Sequence, residues 1–393
     1  MEILFLTGNL PYPPTDGWKI RVFSLIRHLS RRHRVSLVSF MRTTENPSAV
    51  ETLRTYCADL RVIRRDPRYS PWKLFLGLVG QTAFPLLNYR DRQMMDLLRE
   101  VLQKRAFDIV QVESLAMAQY CSAVPFPTVL DLHNIESLLI KRYAQQETNL
   151  LKRGYAEVMW RKVAAYERES CKRFTRCLTC SEEDQRLVQA YAGAECVNVI
   201  PNGVDLQAYS PDGAPTKPSN RLVFVGRMDY HANVDGVQWF CREILPHIRR
   251  QKPDVVFQIV GGYPTNEVKR LARAGEIEVT GFVEDVRPYL KEATVVVVPL
   301  RIGGGTRLKI LESLAMGKAV VSTTLGAEGI AAVDGRELLL ADRPTQFADR
   351  VIDVLESPAV RKTLHDAGRK LVEARYSWAS IGNRLEQVYE SCL

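Results

Sequence analysis

The densest group of chemically capable residues is Pro299–Val321, PLRIGGGTRLKILESLAMGKAVV. Gly303, Gly304 and Gly305, with Thr306 behind them, separate a short apolar run from a helical pattern. Glycines let backbone amides come close to a ligand, and a helix start favours an anion. The helix is expected from about Arg307 to Met316, with Gly317 ending it. Arg307, Leu308 and Lys309 then fall in its first turn, where cations oppose the helix dipole. A bound polyanion such as a diphosphate accounts for that pair of charges. Glu312 lies three residues beyond Lys309. It either pairs with that lysine on the helix surface or accepts two hydroxyls of a nucleotide ribose.

A second group is Val223–Gly236, VFVGRMDYHANVDG. Gly226 follows an apolar run directly, and Arg227 comes next. An arginine beside a glycine turn grips phosphate bidentately. The competing reading is a salt bridge with Asp229 or Asp235. Near the chain start, Asn9–Trp18 (NLPYPPTDGW) reads as a loop before a helix over Lys19–Ser30, with an Asp16-Gly17 turn open to a sugar. His133, in Asp131-Leu132-His133-Asn134, sits just after an apolar run. There it either packs or hydrogen-bonds a sugar hydroxyl or a developing charge.

Positioning these groups calls for short strands alternating with helices. Ile3–Thr7, Val35–Phe40, Leu60–Ile63, Ile109–Val112, Thr128–Asp131, Cys177–Cys180 and Val197–Ile200 form one series. Leu222–Val225, Val255–Val260, Ile277–Thr280, Thr294–Pro299, Ala319–Ser322 and Leu338–Leu340 form another. Runs of this kind, apolar on both faces, are strands of parallel sheets covered by helices. The order restarts near residue 220, after the Pro/Gly/Ser-rich Ser210–Asn220. The expected fold is α/β, with two Rossmann-like, doubly wound parallel-sheet domains facing across a cleft. Residues 1–205 would form the first domain and 206–376 the second, with a helix over 377–393, N-capped by Ser377, packing back on the first.

Length and composition agree with this. A chain of 393 residues is too long for one core, and 46% hydrophobic with 25% charged residues is ordinary for a globular protein. The longest apolar runs fall far short of the roughly 20 residues of a membrane span. Met1–Thr7 reads as a first strand, not an export signal. Eight scattered cysteines suit a reduced, cytoplasmic protein without a cysteine metal site. Charge is uneven: residues 1–200 hold 29 Lys and Arg against 21 Asp and Glu, and residues 61–105 alone hold 10 against 4. Such an excess points to an anionic partner or marks a solvated face. No nucleic-acid module accompanies it.

Taken together, Val199–Asp205 (VIPNGVD), Phe224–Arg227 (FVGR), Val260–Gly262 (VGG), Val279–Val283 (VTGFV) and Gly303–Val321 resemble the retaining GT-B glycosyltransferases of family 4. The nearest likeness is to the bacterial exopolysaccharide subgroup. The resemblance implies transfer from a nucleotide-diphosphate sugar with retention of configuration, without an essential metal or other cofactor. It implies that Arg227 and Lys309 hold the donor diphosphate, that Glu312 binds the ribose, and that His133 contacts the transferred sugar. Gly17, Gly226, Gly262, Phe282, Val283 and the Gly303–Leu308 stretch would complete the donor pocket, with Gly281–Val283 at the base. Two positions depart from the family pattern: Gly304 stands where a first glutamate is usual, and Asn233 where a lysine is usual. Arg307 and Lys309 are candidates to replace that charge.

The acceptor would be a glycan or a polyprenyl-diphosphate-linked sugar. Ser70–Tyr89, with Trp72, Phe75 and Phe84 between arginine-rich flanks, reads either as an interfacial element on an anionic membrane surface or as a buried helix under a basic rim. A peripheral position on the inner face of the plasma membrane follows from the first reading. The rival functions are a sugar-nucleotide epimerase and a nucleotide-sugar-binding protein without turnover.

Overall fold

The structure is a computed structural model that describes residues 1–66, 70–121, 124–211, 219–302 and 307–393. It divides into two compact units, Met1–Pro201 with Ile381–Leu393, and Asn202–Ser380.

In the first unit the strands are β1 (Glu2–Thr7), β2 (Arg34–Met41), β3 (Asp59–Arg64), β4 (Ile109–Glu113), β5 (Thr128–Leu132), β6 (Arg176–Thr179) and β7 (Val197–Val199). They form one sheet in the order β3-β2-β1-β4-β5-β6-β7. In the second unit β8 (Arg221–Val225), β9 (Val256–Val260), β10 (Ile277–Gly281), β11 (Val295–Val298), β12 (Ala319–Ser322) and β13 (Leu339–Leu340) pair in the order β10-β9-β8-β11-β12-β13. Neighbouring strands are parallel throughout. Every expected strand is present, with ends moved by a residue or two. Val295–Val298 are wholly buried, as are Ile3–Leu6; strands covered on both faces cannot alternate polar and apolar residues. In both sheets the order reverses beside the first strand of the unit, and the carboxyl ends there are where such folds bind ligands.

Three boundaries differ from expectation. The first unit ends at Pro201 rather than 205, because the Val204 amide donates to the Tyr376 carbonyl (2.8 Å) and Val204 bridges Ser377 within the second unit. The first helix is Gly17–Leu29, not Lys19–Ser30: Asp16 is its N-cap, accepting from the Lys19 amide at 3.1 Å, so Gly17 opens the helix rather than a turn. In the final helix, Trp378–Glu390, Ser377 Oγ accepts from the Ser380 amide at 3.2 Å. From Ile381 onward the chain packs in the first unit: Tyr389 is fully buried, and Glu386 lies 3.1 Å from His33 Nε2.

The Ser70–Tyr89 segment is two short helices, Pro71–Val79 and Phe84–Asn88. The buried-helix reading fails for the first of them. Trp72 is 65% exposed, Phe75 51% and Val79 62%, and only Gly77 is buried. The sequence grouping of Trp72, Phe75 and Phe84 also separates, because Phe84 belongs to the core. Gly77 is needed where the helices meet, since a Cβ there would lie 2.8 Å from that of Phe84. No described helix is long and apolar enough to cross a membrane.

Candidate functional site

In the second unit the candidate residues gather at the carboxyl ends of β8 and β9. Gly226 follows β8, and its amide donates to the Val260 carbonyl at 3.0 Å. The backbones touch here: a Cβ on Gly261, which has φ +146°, would lie 1.9 Å from the Gly226 oxygen. A Cβ on Gly226 itself would lie 2.7 Å from Asn233 Nδ2 and 2.9 Å from Lys309 Nζ. Both positions therefore demand glycine, for close approach rather than for flexibility.

Around Gly226 the polar side chains interlock. Asn233 Nδ2 donates to the Arg227 carbonyl (2.8 Å), and Lys309 Nζ donates to Asn233 Oδ1 (3.1 Å). The Lys309 ammonium also lies 4.0 Å from the centre of the Phe224 ring. Burial, with Arg307 nearby, pulls the Lys309 pKa down to about 7. A second charge brought into this pocket must thus be negative to keep the lysine protonated. Asn233 orients the ammonium rather than supplying a charge of its own.

The Arg227 guanidinium makes the salt bridge that was its alternative reading. Its Nε and Nη2 donate to Asp229 at 3.1 and 2.6 Å, and the pairing holds the Asp229 carboxyl below its usual range. Asp235 pairs instead with Arg301, at 2.6 Å. Arg227 also lies over the Tyr263 ring at 5.3 Å. It remains largely exposed, so exchanging one carboxylate for another anion costs little desolvation.

The glycine-loop helix is shorter than expected, Leu308–Ala315, with Arg307 as its extended N-cap residue and Lys309 in its first turn. Leu308 packs against the core. Gly317, at φ +65°, closes the helix. Glu312 does not close on Lys309. It takes a hydrogen bond from the Tyr209 hydroxyl, and burial raises its pKa. Gly262 lies against Phe282 (3.5 Å from a Cβ position), which is 73% exposed, while Val283 packs inward. Gly303, Gly304, Gly305 and Thr306 lie outside the described residues.

In the first unit His133 stands just past β5, with Nε2 2.9 Å from Glu113 Oε2 and Nδ1 4.0 Å from Asp131 Oδ1. Glu113 closes β4, the strand between β1 and β5, and is fully buried. Burial and the nearby Asp131 raise its pKa, while the imidazole works the other way. Behind it, Tyr389 donates to Gln111 Oε1, and Gln111 Nε2 donates to Glu113 Oε1 at 2.6 Å. A buried line of hydrogen bonds thus runs from the final helix to Glu113, whose other carboxylate oxygen lies beside the imidazole. Asp131 is held separately: Arg21 Nε and Nη2 donate to its two oxygens at 3.0 and 3.2 Å, and Arg21 Nη1 donates to the Pro201 carbonyl at 2.9 Å. Trp18 meets His133 edge-on, at 6.2 Å between ring centres. Gly17 is exposed at the start of the same helix.

One atom each of Asp131, His133 and Cys180 lies within 4.8 Å of the others. With both Asp131 oxygens already accepting from a guanidinium, this trio does not suit a metal ion.

Sequence reasoning missed Tyr209, Glu113, Gln111, Arg21 and Tyr389. Glu113 and Gln111 did leave a signal, as polar residues inside the otherwise apolar strand IVQVE. The other three sit in ordinary helical or loop sequence.

Comparison with known proteins matches residues 15–208 to the family model "Glycosyltransferase Family 4" and residues 219–357 to "Glycosyl transferases group 1". The chain is 21% identical over 376 residues to an uncharacterized 44.6 kDa protein in the cps region of Klebsiella pneumoniae, spanning 90% of each. It is 25% identical over 228 residues to one component of the phosphatidylinositol N-acetylglucosaminyltransferase of Homo sapiens, covering 54% of this chain and 45% of that one. The structure of Anabaena Alr3699/HepE in complex with UDP-glucose shares the fold, with a TM-score of 0.66 at 16% identity over the whole of both chains. Two parallel-sheet units, each matched by a glycosyltransferase family model, make this chain a GT-B glycosyltransferase with a family 4 first unit and a group 1 second unit.

Proposed function

We propose that the chain transfers a sugar, with retention of configuration, from a nucleotide-diphosphate sugar to a glycan or polyprenyl-diphosphate-linked acceptor. One observation carries the donor half of this reading: Lys309, Asn233 and Gly226 interlock where β8 and β9 end. Among the described residues no carboxylate stands within ion-pair distance of the ammonium, which is held at the turn where the Gly226 and Gly261 backbones meet.

In this reading the leaving diphosphate gathers negative charge as the glycosidic bond breaks. Lys309 meets it in the protonated form. Arg227 exchanges Asp229 for phosphate oxygens, and Arg307 adds a further charge. Preorganised donors of this kind contribute about 3–4 kcal/mol each to a transition state. Glu312, held by Tyr209, accepts the ribose hydroxyls, and Phe282 and the Gly281–Val283 backbone flank the base. His133, oriented by Glu113, contacts the sugar being moved. The residues given these roles need no metal to supply charge.

Two observations support a lipid-linked acceptor at a membrane face. One is the exposed apolar helix on a basic segment. The other is the lipid in the name of the human relative. The protein would then sit peripherally on the cytoplasmic side.

A panel of UDP-, GDP- and ADP-sugars tests the reading. Nucleotide release that depends on Lys309 supports it. A thermal shift with a nucleotide sugar but no release, with or without acceptor lipid, would instead identify a binding protein.

A further inference from the structure

The first unit contains a cavity of about 600 Å³ that the donor chemistry leaves unused, lined among others by Thr82, Arg90, Arg92, Arg99, Tyr120 and Lys162. Tyr89, next to Arg90, sits on Gly8 just past β1, 3.0 Å from where a Cβ would be. The Tyr120 hydroxyl accepts from the Asp91 amide at 2.9 Å and donates to the Tyr89 carbonyl, which fixes that wall.

The charges around the cavity do not cancel. Asp91 accepts from the amides of Gln93 and Met94 and lies 3.8 Å from Arg65. Asp96 pairs with Arg99 at 3.4 Å. Lys162 is committed to the carbonyls of Gly77, Leu78 and Gly80. Arg90 and Arg92 have no acidic partner within ion-pair distance among the described residues.

The cavity and the exposed apolar helix share an edge. Lys162 both lines the cavity and caps the last carbonyls of Pro71–Val79, and the cavity wall resumes at Gln81 and Thr82. Trp72 and Phe75 stack on the outside of that helix, 5.6 Å between ring centres, with Leu78 and Val79 also exposed. Two guanidinium groups without a carboxylate thus stand beside an uncovered aromatic and aliphatic face. An amphiphile with an anionic head complements both halves at once, whereas a soluble anion uses only one.

We propose that this cavity seats the phosphate head of a membrane lipid, with Arg90 and Arg92 binding the phosphate and the Trp72–Val79 face entering the lipid layer. The inference rests on the membrane reading above and narrows it to one site. The same seat would orient a lipid-linked phosphate acceptor.

The test is flotation of the full-length protein with vesicles at physiological salt. One set is phosphatidylcholine alone and the other an equimolar mixture with phosphatidylglycerol. The wild type is expected to float with the anionic set only. Arg90→Ala with Arg92→Ala should weaken that binding about tenfold, in line with loss of two charge-assisted contacts. Thr82→Trp, which fills the cavity without changing its charge, should weaken it similarly, and both variants should keep the wild-type circular dichroism. Anionic binding unchanged in Thr82→Trp would overturn the seat and leave only diffuse attraction to the surface. Full displacement from the vesicles by millimolar inorganic phosphate would overturn the commitment to lipid. No flotation of the wild type would remove the membrane reading with it, whereas nucleotide release from a donor sugar, measured on the same preparation without vesicles, reports the transferase reading separately.

Discussion

Lys309 Nζ donates to Asn233 Oδ1 at 3.1 Å, and the amide of the same Asn233 donates to the Arg227 carbonyl at 2.8 Å. One neutral side chain therefore ties the two cations of the proposed donor site to a single backbone turn. The pH behaviour follows. Burial beside Arg307 brings the Lys309 pKa to about 7, and a bound diphosphate raises it, so donor binding takes up a proton at higher pH. The donor KM should be flat below pH 7 and rise above it by up to about tenfold per unit. In Lys309→Met the KM should be high and this slope absent. Stability moves in the opposite sense. Between pH 7 and about 10 the unfolded chain holds more protons on this lysine than the folded one, so wild type should gain stability over Lys309→Met across that window. Denaturant titrations at several pH values measure it.

Glu312 and Tyr209 should separate by magnitude. Removing the carboxylate in Glu312→Ala takes away an acceptor of charge-assisted hydrogen bonds, worth about 1.5–3 kcal/mol, or roughly 10- to 100-fold in nucleoside diphosphate affinity. Tyr209→Phe leaves the carboxylate in place but less well held, and should cost about fivefold. Calorimetric titration with the nucleoside diphosphate compares the two.

The line Tyr389–Gln111–Glu113–His133 gives a graded expectation. His133→Ala should lower kcat by about 10²- to 10⁴-fold. Tyr389→Phe touches no substrate, yet it should lower kcat several-fold with donor KM unchanged, because it loosens the support of Glu113. If Tyr389→Phe lowers only the melting temperature, the tyrosine is purely structural.

Arg21 and Asp131 predict stability rather than rate. Their side chains are 1% and 0% exposed, and the pair is 2.9 Å apart at its closest. Breaking such a pair strands a buried charge, so Arg21→Met should cost about 3–5 kcal/mol. Arg21→Met with Asp131→Leu should cost much less, because neither charge is then left behind. Urea unfolding of the three proteins checks it.

Backbone contact sets the last expectation. Gly261→Ala places a methyl group against the Gly226 oxygen at a φ of +146°, so either the turn must open or the protein must lose the fold around it. Diminished donor binding together with a lowered melting temperature is expected.

Much of the architecture was legible because buried parallel strands leave a plain trace: runs such as VVVV at 295–298 admit no alternation. Gly226, Arg227, Lys309 and Glu312 could be picked out as candidates because glycine turns and clustered charges follow strand ends. What stayed hidden depends on contacts between residues distant in sequence. Arg21 is an ordinary helical residue until Asp131, 110 positions away, arrives beside it. Tyr209 has no spacing relation to Glu312. The salt bridge of Arg227 with Asp229 was readable as one of two options, and only side-chain geometry chose it. The exposure of Pro71–Val79 was hidden for a related reason: composition tells an apolar helix from a polar one, but not which neighbours cover it.

Residues 381–393 complete the first unit, although they are synthesised after the whole of the second. Glu386 meets His33, and Tyr389 meets Gln111, across more than 270 positions. A nascent chain emerging from the ribosome therefore holds Gln111 and its neighbours without their cover until Tyr389 has left the exit tunnel. Cutting away this tail should leave the early half of the polypeptide with an open core and a need for chaperones.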